Sequence, residues 1–210
     1  RFAEEASKLK TGNPFKNNTG TCGTPAAICW DEIVPNEEIY YGPIINNQGY
    51  SKIRYYNKIV NDDPQAEVLL APVYSGENGS YYITPMVYKT EWRDAEYLKN
   101  EVFGPHVAII PFDTLEEAIR IYNDTDYGLA VGVLTNDFRK ARVLRDECDA
   151  GMIYWNGGSI AAESHLAFGG VKKSGNGFPS AARTFRAVTH EISWTVNHAD
   201  SLMFPQGMSK

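Results

Sequence analysis

The first residue type that invites chemistry is a thiol set among small neighbours, Gly20-Thr21-Cys22-Gly23-Thr24, where a thiolate would be open to an electrophile. No His or Lys lies close in sequence to lower its pKa, so an ordinary loop thiol is the simpler reading of Cys22. Ser159 and Ser164 stand near His165, but no Gly-x-Ser-x-Gly elbow encloses either serine, and a catalytic triad is unsupported. The histidines His106, His165, His190 and His198 are scattered without metal-ligand spacing. Cys22, Cys29 and Cys148 form neither a close zinc pair nor a disulfide framework. Two glycine-rich stretches raise the question of a nucleotide phosphate. Gly175-Asn176-Gly177-Phe178-Pro179-Ser180 lacks the third glycine of the dinucleotide fingerprint, and Gly170-Val171-Lys172-Lys173-Ser174 has Val171 where a phosphate loop needs Gly. Both read as tight turns. Glu101, within Asn100-Glu101-Val102-Phe103-Gly104-Pro105, is by itself a solvated loop acid.

These residues need elements to position them. Phe2, Ala6 and Leu9 share one face of a helix over residues 1–10, which Gly12-Asn13-Pro14 stops. Residues 16–41 are rich in Asn, Gly, Thr and Pro without a clean period, which suggests an insertion. Tyr50, Ile53, Tyr56 or Asn57, and Val60 give residues 46–60 a helical period. After Pro64 the pattern becomes strand-like at 67–71 and 81–88, on either side of the turn signal at 75–79. Val107-Ala108-Ile109-Ile110 is a continuous apolar run, as expected of a strand covered on both faces. A helix at 115–122, a strand at 129–135, a helix at 137–147 and a strand at 152–155 complete a βαβ rhythm. A parallel α/β core over residues 100–157 follows. Ile192, Trp194 and Val196 alternate with polar residues, which predicts a strand with one face to cover.

The chain has 210 residues, 43% hydrophobic and 22% charged, enough apolar material for a substantial core. Its net charge of −6 argues against a nucleic-acid partner, and no apolar run approaches the ~20 residues of a membrane-spanning helix. The start at Arg1-Phe2-Ala3 has no initiator Met and no leader pattern, so the expectation is a piece of a longer, cytoplasmic protein.

One ordered series is far more specific than any single motif. Asn100-Glu101-Val102-Phe103-Gly104-Pro105 leads to Thr114-Leu115-Glu116-Glu117-Ala118-Ile119, then Asn123-Asp124-Thr125-Asp126-Tyr127-Gly128-Leu129 and Thr135-Asn136-Asp137. Ala150-Gly151-Met152, Trp155-Asn156 and the run from Phe168 to Gly177 close it. In order and spacing the series resembles the catalytic domain of the aldehyde dehydrogenase superfamily, as do Lys8 to Pro14 and Gly42-Pro43-Ile44-Ile45. Leu69-Leu70-Ala71-Pro72, Ser174-Gly175-Asn176, Pro179-Ser180-Ala181 and Asp200-Ser201-Leu202 are similar to the succinylglutamate-semialdehyde dehydrogenases, although Ile160-Ala161 departs from that group's Thr-Gly step.

The resemblance implies a three-layer α/β fold around a parallel sheet, with a C-terminal oligomerisation strand. Residues 1–183 would be a partial catalytic domain and 184–210 an arm and tail. It implies NAD(P)-dependent oxidation of an aldehyde, a semialdehyde in the finer resemblance, to a carboxylic acid by an attacking thiolate and a Glu-activated water. The family's nucleophilic Cys and general-base Glu precede the helix ending at Lys8-Leu9-Lys10, so no catalytic residue is expected in this chain, and Cys22 is misplaced for the role. Glu101 would accept hydrogen bonds from the ribose beside the nicotinamide of NAD or NADP, and Phe103 would pack against it. Asn156 would brace neighbouring loops. Ser159, Ile160, Ser164 and Phe168 would contact the aldehyde tail, although Phe168 is equally well ordinary core. The expected partners are a small aldehyde and further copies of the chain, as a dimer or tetramer, with no metal. A binding or assembly protein on the same scaffold is the alternative.

Overall fold

A computed structural model describes residues 1–15, 35–75, 81–160, 163–196, 198 and 200. The chain divides into two compact units, 1–125 and 126–210.

The first unit opens with α1 (Phe2–Ser7). The flanks of the expected insertion are then held together: Phe15 bridges Pro35, Thr11 bridges Tyr41, and the Tyr40 N–H donates to the Lys10 carbonyl at 2.9 Å. Residues 16–34, with Cys22 and Cys29, lie outside the described residues. α2 (Asn47–Asn61) begins where the Asn46 side chain accepts from the Gly49 N–H at 2.8 Å, satisfying one free donor of the first turn. Ile53, Tyr56, Asn57 and Val60 fall on one face of α2 and are buried. Each large apolar side chain among them contributes about 1.5–3 kcal/mol.

That face packs into one apolar cluster with Ile83, Met86, Tyr88, Tyr97 and Val102. Much of the cluster comes from a three-stranded sheet. β1 (Glu67–Leu70) is followed by the small antiparallel pair β2 (Tyr74–Ser75) and β3 (Tyr82–Ile83), then by β4 (Met86–Lys89). The helical turn α3 (Glu96–Lys99) carries the chain over to β5 (His106–Ile109). The sheet order is β1-β4-β5, antiparallel between β1 and β4 and parallel between β4 and β5. The strand covered on both faces is therefore β4, whose Met86, Val87 and Tyr88 are fully buried. β5 ends the order of this sheet, and Val107 on it is exposed, because a side chain stands out from the sheet face and is buried only where another element packs over that face. α4 (Leu115–Asn123) is capped by Thr114, whose hydroxyl accepts from the Glu117 N–H at 3.1 Å.

The second unit contains β6 (Tyr127–Gly128), β7 (Ala130–Val133), α5 (Phe138–Glu147), β8 (Met152–Trp155) and β9 (Val171–Lys172). β7 and β8 pair in parallel across α5, a complete βαβ unit, while β6 and β9 pair antiparallel. The Asp137 carboxylate caps α5 through the Arg139 N–H at 2.9 Å. The fold is α/β: among the described residues the first unit has the parallel pair β4–β5 and the second the parallel pair β7–β8.

The tail departs from the expected pattern. A 3-10 turn (Ala181–Arg183) leads into α6 (Thr184–Val188), and residues 189–196 form no strand. Ile192, Trp194 and Val196 are exposed, with Trp194 at 85%. An alternating segment becomes a strand only when a second backbone supplies the ladder, and this segment pairs with no backbone among the described residues. No helix among the described residues is long and apolar enough to cross a membrane.

Candidate active site

In the first unit, the sequence around Glu101 forms a short loop with both ends secured. Val102 is buried in the apolar cluster and anchors it from within. Gly104 lies so close to α2 that a Cβ there would stand 2.4 Å from Cδ1 of the fully buried Ile53. At the far end, the Met86 N–H donates to the Pro105 carbonyl at 2.8 Å, and His106 starts β5. Between these anchors, Phe103 adopts φ 58°, a left-handed conformation unusual outside glycine, and the residue is 79% exposed. Glu101 is exposed, and its carbonyl accepts from Lys52 Nζ at 2.7 Å. No side-chain donor engages the Glu101 carboxylate among the described residues.

His106 is held by polar groups inside the cluster. Asn57 Nδ2 donates to the Tyr74 hydroxyl at 3.0 Å, which turns Oδ1 toward His106 Nδ1 at 2.9 Å. With that amide orientation Nδ1 carries the proton and donates, leaving Nε2 to accept from the Tyr88 hydroxyl at 3.0 Å. Burial pushes the His106 pKa down to about 4 and the Tyr88 pKa up, so both groups stay neutral near neutral pH.

In the second unit, Asn156 follows β8 at φ 53°. Its Oδ1 accepts from the Thr135 N–H at 2.9 Å and its Nδ2 donates to the Thr135 carbonyl at 3.1 Å. The Trp155 indole donates to the same carbonyl at 2.9 Å. The loop after β8 is thus clasped to the loop after β7. Gly132 lets residues 157–159 lie across β7, since a Cβ there would stand 3.2 Å from the Gly157 carbonyl oxygen.

Phe168, 45% exposed, lines a cavity of about 280 Å³ with Gly151, Met152, Tyr154, Glu163 and Leu166. Ser159, Ile160 and Ser164 are exposed and do not line it, and Ile160 is 92% accessible. Residues 161 and 162 lie outside the described residues.

The glycine-rich run beyond Phe168 is a brace. A Cβ on Gly151 would meet the Gly169 carbonyl oxygen at 1.9 Å, so these backbones touch directly. Ser174 Oγ accepts from the Gly128 N–H at 3.0 Å, Lys172 pairs with Asp149 at 2.9 Å, and Lys173 pairs with Asp126 at 2.6 Å. Both lysines already meet carboxylates, and the next helical residue is Ala181, whereas in a phosphate loop the helix starts at the lysine itself. Among the described residues no group of His, Cys, Asp and Glu could hold a metal ion.

The ordered motifs on these loops coincide with a family-wide pattern: residues 1–193 match the aldehyde dehydrogenase family. The chain belongs to that family. It is 34% identical over 140 residues to a 1-pyrroline-5-carboxylate dehydrogenase of Staphylococcus haemolyticus, covering 66% of this chain and 27% of that protein. Among solved structures, it is similar to an NAD-dependent aldehyde dehydrogenase from Sinorhizobium meliloti, with 30% identity and a TM-score of 0.63 over 68% of this chain and 28% of the other. Aldehyde dehydrogenase 21 from Physcomitrella patens, in complex with the reaction product succinate, gives 26% identity and a TM-score of 0.64 over 83% of this chain and 31% of the other. The chain spans roughly a third of the length of the curated relatives it matches, 27% to 35% for the first of them.

Sequence reasoning did not single out Lys52 or Glu163, and it placed Asn57 on the helical face only as an alternative to Tyr56. Lys52 and Asn57 flank Ile53 and Tyr56 on α2, but no local spacing reveals partners 49 residues away.

Proposed function

We propose that this chain is the part of an NAD(P)-dependent aldehyde dehydrogenase that carries one wall of the cofactor site and the loop through which the aldehyde enters. The observation that carries this is the Glu101–Pro105 motif, present in a chain of the family and built as a fixed loop with a free carboxylate. An exposed carboxylate with no side-chain donor fits the two vicinal hydroxyls of a ribose, and the exposed Phe103 ring fits a flat heteroaromatic ring. The bound nicotinamide supplies a hydride acceptor. Glu101 would orient the ribose beside it, and Phe103 would limit its travel. Asn156 would keep the two loops of the second unit in register, and Ser159, Ile160, Ser164 and Phe168 would meet the aldehyde tail. The nucleophilic thiolate and the general base would come from residues preceding α1, following the family pattern. The protein would act as a homo-oligomer.

For the substrate we propose a semialdehyde, an aldehyde with a carboxylate at its other end. The name of the Staphylococcus haemolyticus relative and the succinate bound to the Physcomitrella patens enzyme both support an anionic substrate. The test of the cofactor site is Glu101→Gln in the full-length enzyme, which keeps the side chain's shape and removes its charge. Losing a charged acceptor should cost about 1–3 kcal/mol of positioning, read as slower single-turnover NADH formation with thioester hydrolysis little changed. An unchanged burst of NADH would refute the assignment. A binding protein on the same scaffold would turn over no aldehyde at all.

A further inference from the structure

Between Glu163 and Glu191 the sequence has no Asp or Glu, although the chain as a whole carries a net charge of −6. The Lys and Arg residues of this stretch are Lys172, Lys173, Arg183 and Arg186. Both lysines reach back to carboxylates, Asp149 and Asp126. Neither arginine meets a carboxylate among the described residues. Arg183 ends the 3-10 turn and Arg186 lies on α6, which follows without a break, so the two side chains stand three positions apart on one face. Both line a single cleft of about 600 Å³, together with Asn176, Gly177, Phe178 and Pro179. Phe178 makes part of that wall firm. A Cβ on Gly169 would stand 2.7 Å from its Cδ1, and the Arg183 guanidinium lies 5.8 Å from the centroid of the same ring. The Asn176 amide, also on the lining, makes no hydrogen bond among the described residues and keeps two N–H donors to offer.

We propose that this cleft binds a compact dianion of the phosphate type, with Arg183 and Arg186 as its cations and the Asn176 amide as a further donor. A planar guanidinium presents two parallel N–H groups to a pair of oxygens, and two guanidiniums match the two charges of one phosphate. The stacked Phe178 ring restrains Arg183 before any ligand arrives, which reduces the ordering that binding must impose. The donors are side chains, so the cleft works differently from a phosphate loop, whose donors are backbone amides at a helix start. α5 shows what bare charge looks like. Its Arg139 and Arg142 are also three positions apart and exposed, and Arg142 lies 5.9 Å from the Phe138 ring, but neither lines the cleft. The assignment does not depend on the cofactor and aldehyde sites proposed above.

The test uses the full-length protein carrying this chain, with NADH in excess so that any dinucleotide site is filled. Titration calorimetry with inorganic phosphate at about pH 8, where the ion is doubly charged, should report one site with a Kd of about 1 mM or below. Arg183→Met combined with Arg186→Met should weaken that binding about tenfold or more. Arg139→Met combined with Arg142→Met removes the same charge from α5 and should leave the affinity within about twofold. Equal weakening by the two pairs would mean diffuse attraction and would overturn the site. Absence of binding to the unaltered protein at about 10 mM phosphate would overturn it as well. All four arginines are exposed, so the thermal midpoints without phosphate should agree, and phosphate should raise the midpoint of every form except the Arg183 and Arg186 variant. Succinate, whose charges sit on separate carboxylates, should bind several-fold more weakly, and succinate as tight as phosphate would overturn the phosphate class. Phenyl phosphate run alongside identifies the source: tighter binding than inorganic phosphate assigns the cleft to a phosphate monoester, equal or weaker binding to the free ion.

Discussion

Asn156 shows how one side chain can sustain an unfavourable backbone. At φ 53° it sits where a Cβ normally crowds the following carbonyl, a cost of roughly 1–2 kcal/mol for most residues. Asn tolerates the position better than others, and here its amide recovers energy by meeting both backbone groups of Thr135. Aspartate could accept from the Thr135 N–H but would turn a second oxygen toward the Thr135 carbonyl. Asn156→Ala loses both hydrogen bonds and keeps the backbone strain. It should lower the unfolding free energy by about 2 kcal/mol, measured by urea denaturation. Asn156→Gly relieves the strain and should lose less. Equal losses would mean that the left-handed backbone contributes nothing.

At the scale of elements, α2, β4 and β5 are joined through His106, a polar residue inside an apolar cluster. Such a group is tolerated because both ring nitrogens are satisfied, by Asn57 and Tyr88. The arrangement also makes the first unit sensitive to acid. Burial holds the folded His106 neutral down to about pH 4, whereas the unfolded side chain takes up its proton near its ordinary value of 6.5. Between these values the unfolded chain binds more protons, so stability is lost as pH falls through that window. A depression of this size is worth about 3 kcal/mol when fully developed. Unfolding in urea between about pH 7 and pH 4 should therefore show a slope that flattens in His106→Gln. Asp63 cannot produce the same slope. Its carboxylate is held below the usual range by the Gln65 N–H and by Tyr97 and Arg93, so it titrates at lower pH.

At the scale of the whole molecule, the unpaired tail is the feature that most needs a partner. Ile192, Trp194 and Val196 alternate as in a strand, yet residues 189–196 join no ladder among the described residues. In the homo-oligomer proposed above, a second copy of the protein would supply both the backbone and the apolar cover. Burying Trp194 and its two aliphatic neighbours would contribute about 1.5–3 kcal/mol per side chain. Trp194→Glu should then dissociate the assembled full-length protein, seen by sedimentation, while circular dichroism shows each subunit still folded. An oligomer of unchanged size and stability would remove the tail from the interface.

The local pattern of residues was enough to locate most elements. Apolar spacing placed α2, the βαβ rhythm placed α4 and α5, and the ordered motifs pointed to the family before any coordinates. These features depend on neighbours within one or two helical turns, or on short motifs that carry their own backbone geometry. Burial and long-range pairing were not legible in the same way. The apolar run at 107–110 could not reveal that β4, and not β5, is the strand enclosed on both faces, because enclosure depends on which distant elements pack over each face. The alternation at 192–196 showed that a face wants cover but could not supply the second backbone that makes a strand. The hydrogen bond from Lys52 to the Glu101 carbonyl joins residues 49 apart, and no period in the sequence connects them. Only folding α2 against that loop brings the ammonium to its acceptor, since a hydrogen bond acts at a few ångströms in space and at any distance along the chain.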